Sequence, residues 1–205
     1  TTNGSSDVEV LDNYFVTANS ASGPFAFIQF FSGGNIRFRG NKYINVNGQN
    51  PYDSHILFTS SYALFEDNYL VGLTQTAVHL YGSNNVYLIA RRNVLQDISA
   101  NGFVVDSTNT LAAYDNIFNN VNTPIYNNGG TVIAKRNIGY PTEAGGVAII
   151  SANATSVTVN HGLVAAPSRV YLTPLSQPPG YIWASNITST SFTIYSSASP
   201  SSNLP

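Results

Sequence analysis

The sequence predicts an all-β protein. A parallel β-helix is expected over residues 1–140, and a small antiparallel β-sandwich over 147–205. Three observations predict it. An apolar run, one or two polar residues and then an Asn recur six times between residues 7 and 140. β-Branched, aromatic and turn residues dominate while helix formers are scarce. From Val147 onward the motif stops, and Arg169 is the only Lys, Arg, Asp or Glu left.

The first copy of the motif is VEVLDNYFV, which carries Asn13. The next are NIRFRGNKYI around Asn41, YALFEDNYLV around Asn68 and VYLIARRNVL around Asn93. LAAYDNIF around Asn116 and TVIAKRNIG around Asn137 complete the series. The Asn are spaced 28, 27, 25, 23 and 21 residues apart, so successive turns shorten. Each interval holds a second short strand: FAFIQFF (25–31), HILFTS (55–60), AVHLYG (77–82), GFVVDS (102–107) and TPIYNN (123–128). Short strands at this period, with polar turns between, mark a parallel β-solenoid. A helical solenoid would need i, i+3, i+4 apolar spacing, which is absent.

With that ladder of Asn, residues 7–140 resemble the right-handed parallel β-helix of the pectate-lyase-like family. The resemblance implies that Asn13, Asn41, Asn68, Asn93, Asn116 and Asn137 stack inside one turn of every coil. A sharp buried turn leaves backbone groups unpaired, and an Asn amide can satisfy them while bonding the next Asn. The resemblance speaks to fold. Lyases, hydrolases, adhesins and viral spikes all use it.

The charges follow the same register. Asp12, Gly40, Asp67, Arg92, Asp115 and Arg136 immediately precede the ladder Asn. On coils about 4.8 Å apart, the last four form an alternating column. Arg39, Glu66, Arg91, Tyr114 and Lys135 form a second column beside it. Glu66 and Asp67 resemble a catalytic acid pair, but cross-strand ion pairing already accounts for them.

The C-terminal segment reads as five short strands: VAIIS, SVTVNHG, SRVYLTP, GYIWASN and TSFTIYS. It resembles C-terminal β modules of viral tail fibres and, more distantly, the H-type lectin pattern in its Asn186–Ile194 run. The resemblance implies a trimerising, capping or sugar-binding module. So small a unit buries too little surface to be robust alone. Tyr171, Tyr181, Trp183 and Tyr195 are candidate sugar contacts in this segment, although Trp183 is expected first as a core anchor, and His161 as a turn residue.

Composition excludes several functions. Charged residues make up 9%, with eight Lys+Arg against ten Asp+Glu. No basic field exists to hold a phosphate backbone, so nucleic acid is not an expected partner. No apolar run reaches the roughly 18 residues of a membrane-spanning helix, so no membrane insertion is expected. The absence of Cys removes disulfides, thiolate chemistry and Cys-based metal sites. No P-loop, GxGxxG, HExxH or nucleophile elbow occurs, and no cofactor is implied. His55 and His79 lie on successive second strands, but nothing completes a metal's three or four ligands. The start at Thr1 and the lack of Met suggest a fragment of a larger rod-like protein.

Catalysis on this fold would need two carboxylates roughly 5 to 9.5 Å apart. Asp53, Asp97 and Asp106 stand outside the charge columns, and Asp97 and Asp106 fall on different sides of the coil. No catalytic residue is assigned. Alternation along the second strands instead places Gln29, Phe31, His55, Thr59, His79, Tyr81, Asp106 and Tyr126 on one outer face. Aromatic rings beside neutral hydrogen-bonding groups suit sugars, although packing against a second subunit would use the same residues. The expected protein is a trimeric viral tail fibre or spike, on the virion surface or otherwise extracellular. Its expected partner is a host cell-surface glycan or glycoprotein. A polysaccharide-degrading tailspike or secreted enzyme, and a cellular adhesin or surface-layer protein, are the alternatives.

Overall fold

The computed structural model describes residues 7–17, 26–30, 34–46, 54–59, 62–82 and 85–205. They form two compact units, Thr1–Tyr140 and Pro141–Pro205. No helix occurs among the described residues.

In the first unit the strands come in coil order. The first coil gives β1 (Val8–Leu11), β2 (Tyr14–Thr17) and β3 (Ala26–Phe30). The second gives β4 (Asn35–Arg39), β5 (Lys42–Asn45) and β6 (Ser54–Phe58), and the third β7 (Tyr62–Glu66), β8 (Tyr69–Val71) and β9 (Thr76–Leu80). Then follow β10 (Tyr87–Arg91), β11 (Val94–Asp106), β12 (Thr110–Tyr114), β13 (Ile117–Asn128) and β14 (Thr131–Lys135). One sheet stacks β1, β4, β7, β10, β12 and β14 in that order. The second strands stack through β3, β6, β9 and the end of β11. All these pairings are parallel, as in a β-solenoid.

The Asn ladder holds the coils in register. The Oδ1 of Asn41 accepts the Asn13 N–H at 2.9 Å, and the same bond recurs from Asn41 to Asn68, Asn68 to Asn93, Asn93 to Asn116 and Asn116 to Asn137. Each Nδ2 also donates to the next Oδ1. From Asn41 onward it further reaches a main-chain carbonyl of the preceding coil. Asn13, at the end of the ladder, is exposed.

The turn explains the residue before each Asn. Asp12, Gly40, Asp67, Arg92, Asp115 and Arg136 all have φ between 53 and 66°. Gly, Asn and Asp tolerate that region, whereas a residue such as Arg92 or Arg136 pays about 1–2 kcal/mol there. The paired charges offset part of it. Arg92 forks onto Asp67 at 2.7 and 2.9 Å, and Arg136 onto Asp115 at 2.7 and 2.9 Å. A Cβ on Gly40 would meet the Asp12 carboxylate. Gly40→Ala is therefore expected to lose about 1–2 kcal/mol in urea denaturation; an unchanged midpoint would remove strain as the reason for glycine.

The core tapers with the coils. One inward column runs Phe38, Phe65, Ala90, Ala113 and Ala134. The aromatic mass passes across the core to Phe103 and Phe118 on other strands, with ring centroids 6.0 Å apart. Shorter coils thus keep a filled interior.

The second unit differs from the five-strand expectation. It is a three-stranded antiparallel sheet in the order β15 (Ser156–Asn160), β17 (Ser191–Ser196), β16 (Ile182–Ser185). The VAIIS segment contributes one isolated bridge, Ile150 to Leu204, and SRVYLTP forms no strand. Pro167, Pro174, Pro178 and Pro179 break up that stretch, because proline lacks the N–H a ladder needs.

Candidate functional site

Strand register sorts the residues expected on the outer face into two neighbouring columns. Gln29 lies beside Leu57, Leu57 beside His79, His79 beside Val104, and Val104 beside Tyr126. Two residues further along, Asp106 lies beside Asn128. Thr59 and Tyr81 continue their strands there, donating N–H groups to Phe30 and Phe58 carbonyls. The Thr59 hydroxyl bonds the Phe30 carbonyl at 2.8 Å. Phe31 lies outside the described residues.

At the centre, His79 Nε2 and Asp106 Oδ2 are 3.1 Å apart. Asp106 also accepts the Gly82 N–H at 2.9 Å and the Asn128 amide at 3.0 Å. Burial pushes the Asp106 carboxyl up. The Gly82 N–H, the Asn128 amide and His79 outweigh it, so the group stays below the usual carboxylate range. Tyr81 meets the His79 ring edge to face at 5.2 Å. Tyr81 and Tyr126 are 46% and 49% exposed, while the His79 and Asp106 side chains are mostly covered. The result is a fixed polar pair between two open phenol rings.

His55 does not belong to this face. It is fully buried, with Nδ1 2.7 Å from the Tyr43 hydroxyl. Its neighbours Ile56 and Leu57 are buried too. The two-residue alternation fails along β6, where His55, Ile56, Leu57 and Phe58 are all buried, and the Tyr43 hydroxyl meets the imidazole.

Glu66 and Asp97 have structural partners. Glu66 is 2% exposed, and its carboxylate receives Arg91 at 2.7 Å and Arg92 at 3.1 Å. Asp97 bonds Gln96 and Asn120, and shares no partner with Asp106. Asp53 lies outside the described residues. No group of three or more His, Asp or Glu able to hold a metal occurs among the described residues.

One buried residue escaped sequence reasoning. Asn109 is fully buried at another corner, where it accepts the Val86 N–H and donates to the Leu80 and Gly82 carbonyls. Trp183 is no core anchor: it is 45% exposed. No protein-family model, curated protein or solved structure matches this chain.

Proposed function

We propose that the protein attaches to neutral cell-surface carbohydrate through the β-helix face bearing Gln29, His79, Tyr81, Asp106 and Tyr126. The observation that carries this reading is the His79–Asp106 pair held between exposed Tyr81 and Tyr126. Rings of this kind stack on the C–H faces of a pyranose, and the fixed polar pair bonds its hydroxyls. In this reading the chain serves a virion tail fibre or spike. The charge-poor surface and the tail-fibre-like C-terminal segment support that setting. Tyr14 and Val16 on β2 are exposed apolar side chains that a homotrimer would cover.

The test is a host-surface glycan array on which binding and released product are read together. Tyr81→Ala is expected to weaken binding about tenfold or more while leaving the fold intact, since the ring is half exposed. Binding unchanged in both Tyr81→Ala and Tyr126→Ala would move the site elsewhere. Chain shortening would favour the depolymerase alternative, with Asp106 as its first candidate acid.

A further inference from the structure

We propose that the outer face of the C-terminal sheet is a second carbohydrate site, independent of the β-helix face, for a neutral saccharide chain. Trp183 on β16 lies directly opposite Tyr195 on β17. Their rings stack at 5.5 Å and 15°. Tyr181 extends the pairing: its N–H donates to the Ser197 hydroxyl and its carbonyl accepts the Ser197 N–H. Two residues before Trp183, it falls on the same face, about 6.6 Å along the strand. Tyr181 is 85% exposed. β16 is an edge strand of the sheet, so no strand lies beyond Trp183.

The opposite face already holds the sheet's apolar residues. Strand register puts Val157, Val159, Ile182, Phe192 and Ile194 together on that face, and all five are partly buried. The three aromatics therefore sit on the hydroxyl-rich face, beside Ser156, Thr158 and Thr193. Burial in a core does not explain them there. The Asn186 amide donates to the Tyr195 hydroxyl at 2.8 Å, which orients the phenol and leaves its hydrogen to donate outward.

The chemistry selects the ligand. No Asp, Glu, Lys or Arg occurs on any of the three strands. A phosphate, sulfate or uronate would find no counter-charge on these strands. A neutral pyranose offers C–H patches to the rings and hydroxyls to the Ser and Thr side chains.

Trp183 is the only tryptophan, so its emission reports on this face alone. The full chain is titrated with neutral hexasaccharides of glucose, mannose, galactose and xylose, and with oligogalacturonate as a charged comparator. The expected result is a saturable change in emission with at least one neutral hexasaccharide, retained in Tyr81→Ala. By calorimetry, Tyr181→Ala should weaken that binding about tenfold, while Trp183→Phe keeps most of it. Retention in Tyr81→Ala separates this site from the β-helix face. Silence across all neutral probes would overturn the proposal, as would an equal response to oligogalacturonate. So would an emission change driven by protein concentration alone, which would assign the face to a second copy of the chain.

Discussion

Asn93→Ala is expected to destabilise the protein by about 3–5 kcal/mol, more than any surface substitution. Asn93 is fully buried. Its Oδ1 accepts both the N–H and the amide of Asn68, each at 3.0 Å. Its Nδ2 donates to the Phe65 carbonyl at 2.8 Å and to Asn116 Oδ1 at 2.9 Å. Alanine would leave these groups buried without partners, at about 1–3 kcal/mol each before relaxation. Asn13→Ala removes the same kind of bond at the exposed end of the ladder, where water replaces it, and should cost about 0.5–1.5 kcal/mol. Urea denaturation of the two variants side by side makes the comparison. Equal losses would mean that the ladder sets register without supplying stability.

The second large effect is a loss of stability on mild acidification. Burial lowers the pKa of His55 from 6.5 to about 4. Above pH 6.5 the imidazole is neutral in both states and the native fold has its full stability. As the pH falls from 6.5 toward 4, the unfolded chain takes up the proton first, and stability drops by about 3 kcal/mol. Below that window both states are protonated and this contribution levels off. Carboxylates held down by partners, Asp67 by Arg92 and Asp115 by Arg136, add their losses at lower pH still. Thermal melts of wild type and His55→Gln from pH 7 to 4 would separate these contributions. An undiminished slope in His55→Gln would clear His55 of the effect.

The ladder and the charge columns were legible because one chemical requirement returns at every coil. A left-handed residue followed by an inward amide leaves the same trace at Asn41, Asn68, Asn93, Asn116 and Asn137. Asn109 performs the same kind of service at another corner. There the register-equivalent residues of the neighbouring coils are Val86 and Gly130, so no repeat marks the position. His55 was misread because alternation assumes one wet face, whereas four consecutive residues of β6, His55 to Phe58, are buried. Trp183 was misread because size and rarity suggest a core. Strand pairing instead set it on the polar face, opposite Tyr195. The binding face was partly legible: periodicity aligned Gln29, His79 and Tyr126, but the Gly82 and Asn128 contacts that fix Asp106 appear only in three dimensions.

The ladder also makes the architecture divisible only in whole turns. Every rung offers the same acceptor to one neighbour and the same donors to the other, whether the intervening loop spans 28 residues or 21. Duplicating or excising one complete turn would leave each surviving amide facing an equivalent mate. Trimming part of a turn would orphan two rungs at once. Selection can therefore lengthen or shorten the coiled unit by unequal recombination at Asn codons, in steps of one coil, while the corners absorb differences in loop size.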